Sequence, residues 1–231
     1  MHSEKQYIDL YRECREQICA HSAAPLNAVR DAAFEQFERQ GFPSRKVERY
    51  KYTSVDELFA PDYGVNVNRL EIPVDPYKAF RCDVPNLSTS LYFIVNDQFR
   101  AALQPKENLP EGVVVDSLAA YAQANPQFVA DHYAQLAHAD EDGITALNTM
   151  LAQDGLLVYV KRGVKVDRTI QVINILRSDV PLMVNRRVLI VMEEGAEAKL
   201  LFCDHAADDR EFLATQVIEA YVDENASLDL Y

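Results

Sequence analysis

The chain has 231 residues, a formal net charge of −13, 48% apolar residues, 12 Tyr and 10 Phe. That acidity argues against a nucleic-acid binder, whose phosphate contacts rest on clustered Lys and Arg, and the apolar content excludes a disordered chain. No run of 18 apolar residues occurs and the start, MHSEKQYIDLY, is polar, so neither a membrane span nor a signal peptide is expected and the predicted location is the cytoplasm.

Taken in order, the first forty residues predict two helices. Tyr7, Leu10, Tyr11, Cys14 and Ile18 recur at the three- and four-residue steps of one buried face. After a break at Ser22 to Pro25, the residues Leu26, Val29, Ala33 and Phe37 repeat the pattern, with Pro25 suited to a first turn and Gly41 to a C-terminal stop. Ser54 and Glu57 have capping-box spacing before a short helix towards Phe59. From Pro61 to Pro85 the helical period is lost, and loops and edge strands are expected. Leu91 to Val95, Asn96-Asp97 and Phe99 to Leu103 predict a hairpin. Residues 117 to 153 return to helix, with a new start at Pro126 and an end at Asp154-Gly155.

Beyond Gly155 the period becomes two and an internal repeat emerges, anchored on Val160, Met192 and Val222, which are 32 and 30 residues apart. Alternate positions give Leu156, Val158, Val160, Val164, Val166 and Arg168 in the first row. The second row has Val188, Ile190, Met192, Ala196, Ala198 and Leu200, and the third has Ile218, Ala220, Val222, Ala226, Leu228 and Leu230. Arg168 alone is not apolar, so one face of both arms is expected to be buried. Gly163, Gly195 and Asn225 stand three residues after each anchor, where positive φ is expected at a corner. After the corner the other face is polar, with Lys165, Asp167, Glu197, Lys199, Ser227 and Asp229. Before it the face is mixed, with Leu157, Tyr159, Leu189, Val191 and Tyr221 beside Glu219, so helices or a partner should cover that side. A meander of hairpins and a stacked solenoid both fit this spacing.

Few residues point to autonomous chemistry. Cys203 and His205, at i and i+2 on a strand, share a side and are the one local pair with metal-ligand character. Two ligands do not complete a zinc or iron–sulfur site, so a structural or surface role is expected and no metal is assigned. Cys14 reads as core, Cys19 does not share its face, and Cys82 is isolated; with no C-x-x-C pair and no export signal, disulfides are not expected. Arg45, Lys46, Arg49 and Lys51 against Glu48 form a basic patch suited to phosphate or an acidic partner, or simply to a solvated face. The histidines His2, His21, His132, His138 and His205 contain no H-E-x-x-H pattern. No nucleophile elbow, Walker motif or dinucleotide fingerprint occurs, so no catalytic residue is assigned.

Two segments carry a family resemblance. Gly41-Phe42-Pro43-Ser44-Arg45-Lys46-Val47-Glu48-Arg49-Tyr50-Lys51-Tyr52-Thr53 resembles a signature of the SufB/SufD family of the SufB-SufC-SufD iron–sulfur assembly system, through Gly41, Pro43, Arg45, Lys46, Glu48, Lys51, Tyr52 and Thr53. Phe42 and Tyr50 depart from the family's usual Leu and Trp. Ala146-Leu147-Asn148-Thr149 with Asp154-Gly155 is similar to the family's entry into its β core. The first signature favours the SufD branch over SufB. The resemblance implies a right-handed parallel β-helix, a single-stranded solenoid, following an N-terminal helical region. It divides the chain into residues 1–60 (helical), 61–153 (mixed strands and helices) and 154–231 (first coils, incomplete). It further implies a non-catalytic scaffold whose partners are a SufB-like paralogue and a SufC-like ATPase, with iron or an iron–sulfur cluster bound only in the complex.

The third row stops in mid-alternation at Tyr231, so the natural gene is expected to continue, and the open strand edge makes a homodimer possible. The main alternative function is a β-helix carbohydrate lyase or hydrolase using exposed carboxylates such as Asp167, Glu197 and Asp229. A hexapeptide acyltransferase is contradicted by the 30- to 32-residue period.

Overall fold

The computed structural model describes residues 3–80, 89–104 and 109–231. The chain opens with α1 (Glu4–Ala20), whose buried face carries Tyr7, Tyr11 and Ile18 at the expected spacing. The second expected helix is two, α2 (Ala24–Ala28) and α3 (Arg30–Gln40), with a break at Val29. The break has a tertiary cause. The Arg30 side chain is fully buried, and its guanidinium donates to the Met150 carbonyl at 2.7 Å as well as to Asn27 and Ser22.

A short α4 (Val55–Phe59) follows, but Ser54 makes no side-chain capping bond, so the helix forms without the reciprocal box its spacing suggests. Between 61 and 80 the expected edge strands are absent from the described residues. Loops lead instead to α5 (Pro76–Ala79), capped by Asp75, which accepts from Tyr77 N and Lys78 N. Pro85 and Cys82 lie outside the described residues.

The hairpin forms as β1 (Thr89–Val95) and β2 (Gln98–Phe99), with Asn96 at φ 58°, while Ala101–Leu103 is a 3-10 turn rather than strand. Then come β3 (Val113–Ser117), α6 (Leu118–Ala124), α7 (Pro126–His132) and α8 (Gly143–Leu151). The remaining strands are β4 (Leu156–Val160), β5 (Thr169–Leu176), β6 (Leu182–Met192), β7 (Glu197–Ala206), β8 (Phe212–Val222) and β9 (Ser227–Leu230).

The repeat is visible in the register: Val160 pairs with Met192 and Met192 with Val222, and Gly163, Gly195 and Asn225 take φ of 69°, 70° and 56° at the corners. The expected single-stranded parallel β-helix is nevertheless not what the chain builds. Its strands belong to two mixed sheets, β2-β1-β5-β7-β9 and β3-β4-β6-β8. Each ends in an antiparallel pair, β1 with β2 and β3 with β4. The position that a preceding coil would occupy beside β4 is taken by β3, which runs antiparallel to it and is entered through a turn in which Val113 N donates to Pro110 O. The architecture is therefore mixed α/β, two packed mixed sheets with α2, α6 and α7 on the four-stranded sheet and the short α5 on the five-stranded one. The lyase or hydrolase alternative was framed on a β-helix, and that architectural premise is not met.

The inner faces meet in a core of Leu156, Val158, Val160, Val172, Val188, Ile190, Met192 and Leu200. The mixed outer face of the four-stranded sheet, Leu157, Leu189 and Val191, packs under Leu26 of α2, Leu118 and Ala122 of α6 and Val129 of α7. Helices thus cover the face whose composition required a cover. The outer face of the five-stranded sheet carries Phe93, Ile173 and Ile175 beneath Val74, Ala79 and Phe80.

Candidate functional site

The 41–53 segment leaves α3 through Gly41, at φ 60°, whose N–H donates to Phe37 O at 2.9 Å. Phe42 is buried against Tyr7, Phe37 and Phe59, with ring centroids 5.9, 5.2 and 4.4 Å away. The backbone of Gly143 abuts Gly41 so closely that a Cβ on Gly143 would lie 1.9 Å from the Gly41 oxygen.

One residue before Gly143, Asp142 uses Oδ1 to cap α8, accepting from Ile144 N and Thr145 N at 2.8 and 3.1 Å. Its Oδ2 accepts from the Tyr50 hydroxyl at 2.7 Å and from Arg49 at 3.3 Å. Burial and then this donation to Asp142 push the Tyr50 hydroxyl up to about 12. The segment therefore has two sides. Gly41, Phe42 and Tyr50 fasten it to the helical core, with Pro43 half-buried. Arg45, Lys46, Glu48, Lys51, Tyr52 and Thr53 face solvent, Tyr52 at 91% exposure. Lys51 pairs with Glu48 at 3.7 Å and lies 5.6 Å from the Tyr52 ring centroid. Arg45 and Lys46 make no ion pair among the described residues.

Cys203 and His205 do share one face of β7, but other groups occupy it. Cys203 Sγ accepts from Gln171 Nε2 at 3.4 Å and packs in the Phe93, Ile173 and Ile175 cluster. His205 meets the Phe80 ring edge-on at 5.6 Å and borders an open cavity of about 520 Å3 with Asp75, Lys78, Arg177 and Asp208. Its Nε2 is buried and has no hydrogen-bond partner among the described residues. No group of three or more His, Cys, Asp and Glu able to hold a metal occurs among the described residues. Cys14 packs against the helical core, and Cys19 is half-buried.

Of the carboxylates of the polar outer arms that carbohydrate chemistry would draw on, Glu197 and Asp229 are engaged with lysines. Glu197 is bonded to Lys165 at 2.7 Å and Asp229 lies 3.4 Å from Lys199, so these are cross-strand ion pairs on a solvated face.

Buried charges to which the sequence pattern assigned no role tie the layers together. Arg187 and Glu219, at 0% and 1% side-chain exposure, pair at 2.5 Å. Glu219 also accepts from Ala134 N, Leu136 N and Ala137 N at 2.9, 2.9 and 3.1 Å. Burial alone would raise the Glu219 carboxyl, but Arg187 and the Leu136 and Ala137 amides hold it below its usual value. Arg187 further donates to Thr149 at 3.0 Å and lies 4.6 Å from the Tyr133 ring centroid. The signal was present as Glu219 in an otherwise apolar outer row. On the inner face, Arg186 pairs with Asp204 and donates to the Asn96 carbonyl at 3.1 Å.

Residues 1–172 match the family described as SufBD protein N-terminal region. The chain belongs to the SufBD family. No curated protein matches it. The SufBD match runs from the N-terminal helices to Val172 inside β5, so it takes in the 41–53 segment, the Asp142 cap and the start of the two-sheet core. Membership supports a role in iron–sulfur cluster assembly, and the match does not separate the SufB from the SufD branch. Among the described residues no helix is long and apolar enough to cross a membrane.

Proposed function

We propose that this chain acts as a SufD-type, non-catalytic scaffold subunit of a cytoplasmic assembly complex, joined by a SufB-like paralogue and a SufC-like ATPase. Iron or a nascent cluster is then handled by the complex rather than by this chain alone. The observation that carries the reading is the 41–53 segment within a chain of the SufBD family. Its buried residues anchor it on Asp142 and α1, while Arg45, Lys46, Lys51 and Tyr52 are presented outward without a fold-building task. Surfaces of this kind, charged with an exposed aromatic, suit recognition of another protein.

The test is affinity purification of the tagged protein from its own host under anaerobic conditions, with quantitative mass spectrometry. Stoichiometric recovery of a SufB-like protein and a SufC-like ATPase is expected. Recovery of neither would remove the scaffold assignment, and recovery of a SufD-like partner instead would move this chain to the SufB branch.

A further inference from the structure

On the outer face of the four-stranded sheet, Phe128, His132 and Tyr221 wall an open cavity of about 360 Å3 that Val191, Glu193 and Asp223 help to line. The His132 ring lies 4.7 Å from both Phe128 and Tyr221, at interplanar angles of 32° and 87°. Phe128 is buttressed from behind by Tyr159 at 4.9 Å. These walls are fastened in place. The Tyr221 hydroxyl donates to the His132 carbonyl at 2.9 Å, and His132 Nδ1 donates to the Phe128 carbonyl at 2.7 Å. Since Nδ1 then carries the proton, a neutral ring offers Nε2 as an acceptor.

The charged side chains that line the cavity itself, Glu193 and Asp223, are both acidic. Glu193 accepts from the Tyr159 hydroxyl at 2.6 Å and from Arg162 N at 2.7 Å, and these two donors hold its carboxyl below the usual value. Asp223 is exposed and accepts from Glu224 N at 2.8 Å. Two cations lie near Glu193: Arg162, paired with Glu194 at 2.8 Å, and Lys161, which like Arg162 lowers the Glu193 carboxyl. Aromatic faces carry negative potential, so rings, two carboxylates and an imidazole acceptor all favour a positive guest. A guanidinium suits them best, because it is planar, weakly hydrated, stacks on rings and binds carboxylates through a fork of donors.

We propose that this cavity receives an arginine side chain of a partner protein. Charge complementarity selects the guest: the aromatic walls take the guanidinium plane, and Glu193 and Asp223 take its N–H groups. The test titrates Nα-acetyl-arginine amide, and separately the uncharged isostere Nα-acetyl-citrulline amide, into the purified protein at pH 8 and low salt. Binding is read from the imidazole C–H signals, with His205 on the other sheet as internal reference.

A saturable shift of His132 is expected with a stationary His205 signal, and citrulline should bind roughly tenfold more weakly. Asp223→Asn, at an exposed position, should weaken arginine binding about threefold. Phe128→Leu should abolish it. Equal binding of citrulline, no saturable shift, shifts of His132 and His205 in parallel, or an unchanged affinity in Asp223→Asn would each overturn the proposal.

Discussion

Tyr50 donates its hydroxyl to Asp142 Oδ2 at 2.7 Å, while Asp142 Oδ1 caps α8 two and three residues on. One carboxylate thus ties a surface segment to the start of a helix buried against both α3 and the four-stranded sheet. Tyr50→Phe is expected to lower stability by about 1 kcal/mol, the usual worth of one hydrogen bond. Asp142→Ala, which loses cap and anchor together, should cost about 2 kcal/mol or more. Urea denaturation of both variants checks the order; equal stability of Asp142→Ala and the parent chain would contradict the assigned role.

The same bond has a pH signature. Tyr50 is held protonated in the fold up to about 12, above its ordinary value of 10.0. Its contribution is therefore complete below pH 10 and is lost as the pH rises from 10 towards 12. Other buried tyrosines share this sign, so the informative quantity is the difference between parent and Tyr50→Phe. That difference should shrink across this window in a melting series, whereas a gap that widens would reverse the assignment.

Gly143 and Gly163 offer a contrast between two reasons for glycine. A Cβ at Gly143 would meet the Gly41 carbonyl at 1.9 Å, and backbone cannot move aside as a flexible side chain can. Gly143→Ala is expected to cost about 3 kcal/mol, at the upper end of overpacking. At Gly163 a Cβ meets nothing within 4 Å, so Gly163→Ala should cost only about 1 kcal/mol for its positive φ. Thermal unfolding of the two variants measures both, and a reversed ranking would contradict the close approach of α8 to the 41–53 segment.

The Arg187–Glu219 pair is buried on both sides, so removing one partner leaves an uncompensated charge. Arg187→Met or Glu219→Leu alone should cost about 3–5 kcal/mol, and the double variant less than the sum. Because the Glu219 carboxyl is held below its usual value, its contribution is present above that value and is lost as the pH falls through the lowered one. A double-mutant cycle by denaturant unfolding, repeated at acid pH, checks both statements; strict additivity would show that the two groups do not interact.

Local patterning was informative where local forces decide. The period of α1, the stop at Gly41, the start at Pro126 and the three corners all follow from side-chain spacing or allowed φ, and each is found. The break at Val29 was not legible, because it serves a burial of Arg30 whose acceptor, Met150, is far along the chain. The alternation of the repeat shows which side chains turn inward but not which sheet a strand joins. It therefore could not reveal that antiparallel β3 would hold the edge beside β4, and the inferred solenoid gave way to two mixed sheets. At the candidate site, the basic and aromatic residues of 41–53 were identifiable. Their division into anchored and exposed sides depends on Asp142, about ninety residues away, and needed the fold.

The central claim is that this SufBD-family chain serves iron–sulfur cluster assembly. Its most direct test is the cluster occupancy of an endogenous iron–sulfur enzyme, measured by electron paramagnetic resonance in host cells lacking the gene, with any second assembly route switched off. Occupancy should fall on deletion and recover when the gene is returned. Full occupancy without the gene would contradict the account.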